Sequence, residues 1–252
     1  MARDRLADTM TLPIPSYVRI EGIRNPEIRF RWDDWDVEAV DMPVDEALQA
    51  RLAAMSQRAV AAFTIGASEW LIHRFSGLTS ELLPRQYLEA AWAQLCDFHY
   101  STHFDVDTDQ WRGPVRGPMG TAIRRVKFAL RQADVEGNPE WSACRLSKLI
   151  EHVLPDATPY LDWRDRIIDR FVALYPFKKD DSLGDPVPWQ FADPAHVVRP
   201  DDAEALLDEF IRGLEGSQNP FMNPPEVMVA QGFKRTPYRF SLAEDRQARW
   251  EW

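Results

Sequence analysis

The sequence predicts a mainly α-helical protein: an irregular multi-helix bundle of about six helices around one central buried helix at residues 43–75, with extended N- and C-terminal arms. Apolar residues recur at steps of three or four in several separate segments, which is the periodicity of amphipathic helices. Proline and glycine separate these segments, as expected for connections between helices. Hydrophobic residues make up 45% of the 252 residues, a composition typical of a folded domain with a sizeable core.

The N-terminal arm, residues 1–42, is predicted to contain a small β-hairpin. Apolar and charged residues alternate at 17–21 and again at 28–32, with a turn signal at 24–27 between them. An acidic block without Lys or Arg follows: Asp33, Asp34, Asp36, Glu38, Asp41, Asp45 and Glu46. We interpret it as a solvated linker whose end places negative charge at the first turn of the central helix. The alternative interpretation is a docking strip for a basic partner surface.

The central helix is predicted from the pattern of residues 43–75. Its first half is amphipathic, with apolar residues at Leu48, Leu52, Met55 and Ala59. Residues 59–72 then contain only three polar side chains, those of Thr64, Ser68 and Glu69. A membrane span needs about 20 apolar residues, and Arg58 and Arg74 bracket a shorter stretch. We therefore expect this helix to be surrounded by other helices in the core, with Gly66 admitting a neighbour at close range.

The other helices are predicted from shorter periodic segments: 84–103, 121–135, 140–154, 159–175 and 201–214. A Gly- and Pro-rich loop at 111–121 is expected to lead into the second of these. Residues 215–252 are irregular but rich in aromatic side chains, so we expect an extended C-terminal arm that packs on the helices or on a partner. The predicted domain division is an N-terminal arm, a helical domain and a C-terminal arm: 1–42, 43–214 and 215–252.

A basic segment is the most distinctive electrostatic feature of this acidic chain, whose net charge is −10. No Asp or Glu interrupts residues 110–133, which carry these cations: Arg112, Arg116, Arg124, Arg125, Lys127 and Arg131. Three interpretations remain open. The cations pair with the acidic blocks at 33–46 or 201–209, bind an acidic face of a protein partner, or contact a phosphate or nucleic acid. The negative net charge of the chain argues against the phosphate or nucleic-acid interpretation, because nucleic-acid-binding proteins are usually basic overall.

No motif for catalysis or for a cofactor is recognisable. His99 and His103 lie four residues apart and are weak candidates for zinc ligands, but a second clear ligand pair is missing. Ser68 lacks the second glycine of a nucleophile elbow. The two cysteines, Cys96 and Cys144, fall within helical patterns typical of reduced cytosolic thiols. We therefore expect neither a metal nor a cofactor.

The sequence favours a non-enzymatic protein that acts by protein–protein interaction, as an adaptor, a regulator or a toxin-neutralising immunity-type protein. One alternative is a helical enzyme or ligand-binding protein with a site near His99, His103 and the basic segment at 112–131. Another is a subunit of a nucleoprotein complex that contacts phosphates through the same segment. We expect a cytoplasmic protein without a membrane partner, because the N-terminus has no signal-peptide core and no stretch reaches membrane length.

Overall fold

A computed structural model describes residues 12–24, 26–42, 44–102, 104–107, 109–135, 137–214 and 219–249. Within these residues the predicted mainly α-helical fold is confirmed: there are ten α-helices and no sheet. Their bounds are α1 Glu38–Asp41, α2 Glu46–Leu52, α3 Gln57–Arg74, α4 Leu83–Cys96, α5 Gly113–Asp134, α6 Pro139–Val153, α7 Thr158–Leu174, α8 Ala203–Gly213, α9 Pro225–Ala230 and α10 Leu242–Ala248. None of these helices is long and apolar enough to cross a bilayer.

The central helix is α3, and every one of its residues is buried. It packs mainly against α4, α5 and α6, with α7 at its side, so the predicted burial inside a shell of helices is confirmed. Gly66 permits the closest approach: a Cβ there would lie 3.1 Å from the ring of Trp163 and 3.3 Å from the Cβ of Ala192. The Trp163 ring also stacks on Phe63, with centroids 5.6 Å apart.

The prediction of one unbroken helix over 43–75 is wrong, because the helix is interrupted between α2 and α3. The first N–H groups of a helix have no partner within the helix, and here a distant loop satisfies them. Ser56 N donates to the Tyr175 carbonyl at 2.8 Å, and Gln57 N donates to the Ser182 carbonyl at 2.9 Å. The Ser56 hydroxyl also accepts from Ala59 N. Pro43 lies outside the described residues.

Helix α5 begins earlier than predicted, because the Gly- and Pro-rich segment at 111–121 is helical from Gly113 onward. Two of its glycines, Gly117 and Gly120, serve packing, whereas Gly113 has a φ of +82° and no close neighbour. A Cβ on Gly117 would lie 2.7 Å from Trp32 Cε2, and a Cβ on Gly120 would lie 3.1 Å from Trp111 Cβ. Two tryptophans therefore press against the first turns of α5.

Three other predictions differ from the structure. The described residues between 17 and 32 form no strand, so the hairpin is wrong; Ser16–Val18 is instead a 3-10 helix. Helix α4 ends at Cys96 rather than at 103, because Asp97 is extended. The C-terminal arm is not simply extended, since it contains α9 and α10 and buries side chains in the common core, among them Phe233, Tyr238 and Phe240.

Candidate functional site: the outer face of helix α5

The N-terminus of α5 is held by the acidic segment at the end of the N-terminal arm. Both carboxylate oxygens of Asp34 accept from Gly113 N, at 3.1 and 3.0 Å. The indole N–H of Trp32 donates to the same carboxylate at 2.6 Å. A carboxylate at this position stabilises the positive end of the helix dipole. The acidic segment is thus part of the structure around α5 rather than only a linker.

Asp41, at the end of α1, binds two arginines from different helices. Its carboxylate accepts from Arg145 at 2.8 Å and from Arg125. The Asp41 residue is completely buried, and a buried carboxylate is stable only when it is fully paired. Burial lowers the pKa of Arg125, whereas the charge of Asp41 raises it. Arg125 is therefore held in an internal ion pair with Asp41.

Arg112 and Arg116 lie against tryptophans at the start of α5. The Arg112 guanidinium is 4.6 Å from the centroid of the Trp35 ring and pairs with Asp109. The Arg116 guanidinium is 4.8 Å from the centroid of the Trp111 ring, and Arg116 pairs with Glu81 at 3.1 Å. Cations over indole faces gain electrostatic attraction from the ring quadrupole. Trp35 itself is 81% exposed.

The other three cations of the basic segment differ in their surroundings. Lys127 pairs with Asp105 at 3.1 Å. Arg124 donates to the Thr121 hydroxyl at 3.1 Å, and burial lowers the pKa of Arg124. Arg131 is exposed. Neither Arg124 nor Arg131 makes an ion pair with the part of the chain that the structure describes.

Arg124 and Arg131 share the solvent side of α5 with two apolar residues. Positions 124, 128 and 131 follow helical spacing and fall on one face, and Val135 continues this spacing directly after the helix ends. Phe128 is 42% exposed and Val135 is 68% exposed. We call the surface formed by Arg124, Phe128, Arg131 and Val135 the α5 outer face. Arg124 also lines a cavity of about 200 Å³ beside Trp35 and Arg112, so the outer face continues toward the exposed indole.

The apolar members of this surface are not among the site residues predicted from the sequence. The available signal is the spacing of Phe128 and Val135 from the two arginines, in steps of three or four residues. Lys127 belongs to the same basic segment but not to this surface. The structure turns the Lys127 side chain toward Asp105, leaving it 15% exposed.

Comparisons of this chain with models of known protein families, with curated proteins and with solved structures found no match. Function is therefore inferred from the geometry of the surface itself.

His99, the other sequence-predicted candidate, is buried in a 3-10 turn after α4. Its Nδ1 lies 2.6 Å from an Asp97 carboxylate oxygen, and its Nε2 lies 3.2 Å from the Gln231 carbonyl oxygen. Burial lowers the pKa of His99, and the Gln231 carbonyl opposes that shift. Both ring nitrogens thus already face protein groups.

His103 lies outside the described residues. Among the residues that are described, no cluster of three His, Cys, Asp or Glu side chains is arranged to hold a metal ion. Cys96 and Cys144 are free thiols in the core. Burial raises the pKa of each to about 12, which leaves both as unreactive neutral thiols near neutral pH.

Proposed function

We propose that this protein acts without catalysis, by binding a protein partner on the α5 outer face. The observation that carries the proposal is the combination of two exposed apolar side chains, Phe128 and Val135, with two arginines on the same side of the helix. Arg131 is exposed and Arg124 is half-buried, and neither makes an ion pair with a described residue, although the charges of Asp105 and Asp41 act on Arg124. Single exposed apolar residues are ordinary. Aromatic residues and arginine together, on one face of a helix, are the side chains most enriched at the centres of protein interfaces.

The surface has a fixed scaffold, which favours binding. Helix α5 packs on α3, α4 and α6, Asp34 holds its N-terminus and Asp41 holds Arg125. A rigid helix loses little conformational entropy when a partner docks. The exposed Trp35, with Arg112 on its ring, extends the same surface.

The partner that fits this surface is an acidic amphipathic helix. Arg124 and Arg131 are two helical turns apart, so their guanidinium groups project from positions separated by roughly 10 Å along α5. Two carboxylates that lie two helical turns apart on the partner would pair with these arginines. An apolar side chain between the two carboxylates would pack on Phe128. Opposite charges would also speed the encounter and select the register. Adaptor, regulatory and immunity-type roles all use such contacts.

Phosphate binding has less support. The backbone N–H at the start of α5, which would hold a phosphate, already donates to the Asp34 carboxylate. An active site around His99 also has less support, because its ring nitrogens are occupied by Asp97 and Gln231.

Site-specific crosslinking in the native host tests the proposal. A benzophenone amino acid replaces Phe128 in one variant and Val197, which is 76% exposed and remote in sequence, in the other. We expect one defined protein to crosslink at position 128 and not at 197. The charge reversal Arg124→Glu/Arg131→Glu should abolish that product.

The matched control reverses two other exposed arginines, Arg166→Glu/Arg199→Glu, and should retain the product. The same crosslinks at both positions, or a product that survives loss of Arg124 and Arg131, would contradict the proposal. A labelled nucleic acid bound by the wild type at physiological salt would favour the nucleoprotein alternative instead.

A further inference from the structure

A second cavity lies on a different part of the molecule, between the C-terminal end of α7 and helices α8 and α10. Its volume is about 410 Å³, within the range of small-molecule sites. Its apolar lining includes Leu174, Tyr175, Leu207 and Leu242. Leu207 is buried, whereas Leu174, Tyr175 and Leu242 are half-buried. The cavity therefore offers an apolar floor that remains open to solvent.

The rim of this cavity is acidic. Among the described residues that line it are the carboxylates of Asp185, Asp201 and Glu204 and one cation, Arg246. Arg246 is already bound to Asp185, with Nη2 at 2.7 Å from the carboxylate. Arg249 donates to the same carboxylate at 2.7 Å. Asp201 and Glu204, in contrast, make no ion pair with any residue that the structure describes.

The walls of the cavity are tied together by hydrogen bonds between α8 and the chain leading into α10. Glu204 accepts from Leu242 N at 3.0 Å, and Asp208 accepts from Phe240 N at 3.0 Å. Helix α10 is fixed in turn to the segment after α7, since Arg249 donates to both oxygens of Asp181. The cavity is thus preformed, and a ligand would not have to order its walls.

We propose that this cavity binds a small organic cation, a compound with an apolar body and an ammonium group. The apolar body would lie against Leu174, Tyr175 and Leu242, and the ammonium group would face Asp201 and Glu204. Apolar surface provides affinity, and these two carboxylates select the sign of the charge. A carboxylate ligand of the same shape would meet repulsion at the rim. This site is separate from the α5 outer face and independent of the partner proposed there.

The test uses two probes of similar shape and opposite charge, phenethylammonium and 3-phenylpropionate. Binding is followed by titration calorimetry and by backbone amide shifts in NMR spectra of the full chain. We expect phenethylammonium to bind at least roughly tenfold more tightly than 3-phenylpropionate, with shifts centred on residues 174–175, 201–207 and 242. Equal affinities, or no binding of either probe up to its solubility limit, would overturn the proposal.

Three variants locate the site. Ala203→Phe fills the cavity and should abolish binding, whereas Ala205→Phe places the same side chain on an exposed position of α8 and should preserve it. Asp201→Asn/Glu204→Gln keeps the shape and should remove most of the preference for the cation. Full binding by Ala203→Phe, or an unchanged preference in the double variant, would show that the probe binds elsewhere and would overturn the proposal.

Discussion

Asp245 and Arg58 form a buried two-point ion pair that ties helix α10 to the first turn of α3. The Asp245 carboxylate accepts from the two terminal nitrogens of the Arg58 guanidinium, at 2.8 and 3.0 Å. The Asp245 side chain is 2% exposed and that of Arg58 is 10% exposed. Arg235 and Arg249 donate to the same carboxylate. One carboxylate therefore holds three guanidinium groups between the central helix and the C-terminal segment.

The variant Asp245→Asn is expected to lower the free energy of unfolding by about 3–5 kcal/mol, because it leaves the buried Arg58 guanidinium without its counter-charge. Chemical denaturation monitored by circular dichroism measures the change. Glu244→Gln, at the neighbouring exposed carboxylate, is the matched control and should change stability by less than about 0.5 kcal/mol. Similar losses in the two variants would mean that the Asp245 pair contributes no special stability.

The protein should also lose stability at acid pH, when the Asp245 carboxylate becomes protonated. Burial alone would raise the pKa of Asp245, but Arg58 and Arg249 outweigh burial and hold it at about 2, below the usual 3.8. A carboxylate with a lowered folded-state pKa stabilises the fold above its unfolded-state pKa and loses that contribution as pH falls toward the folded value. We expect a loss of about 2 kcal/mol between pH 4 and pH 2. The free energy of unfolding of Asp245→Asn, measured from denaturation curves, should depend less on pH over this range than that of the wild type. An equal pH dependence in the two proteins would contradict the assignment of this loss to Asp245.

For Gly117→Ala, helix propensity and tertiary packing predict opposite changes in stability. Helix propensity alone would favour alanine by about 1 kcal/mol. The new Cβ would lie 2.7 Å from Trp32 Cε2 and 2.8 Å from Asp34 Oδ1, so it would displace the group that caps α5. We expect a net destabilisation of about 1–3 kcal/mol, measured by thermal unfolding. In a Trp32→Ala background the loss should be smaller, because only the contact with Asp34 remains. Persistence of the full loss there would exclude Trp32 as the obstacle.

Arg125 and Arg131 are both in α5, but they should respond differently to truncation. Arg125→Ala removes one of the two partners of the buried Asp41, and we expect a loss of about 3 kcal/mol in the free energy of unfolding. Arg131→Ala, on the α5 outer face, should change stability by less than about 0.5 kcal/mol. Urea denaturation distinguishes the two. A large loss from Arg131→Ala would mean that this residue has a structural role and is not available to a partner.

Much of the helical fold follows from the sequence because it depends on local pattern. The apolar run of residues 59–72 predicts a buried helix, and α3 is buried throughout. The segments predicted at 140–154 and 159–175 correspond to α6 at Pro139–Val153 and α7 at Thr158–Leu174. In each case the period of the apolar residues and the bounding prolines are properties of neighbouring residues, so a single chain segment contains the information.

The tertiary structure decided what depends on residues far apart in the chain. The break before α3 exists because carbonyls at 175 and 182 accept its first N–H groups. Gly117 and Gly120 lie within a helix on which Trp32 and Trp111 pack and which Asp34 caps. The sequence shows six basic residues in this segment, but it does not show which of them are paired. In the structure Arg125 pairs with Asp41 and Lys127 pairs with Asp105. Arg124 and Arg131 remain on the surface. Charge composition is local information, whereas the choice of partner for each charge requires the packed chain.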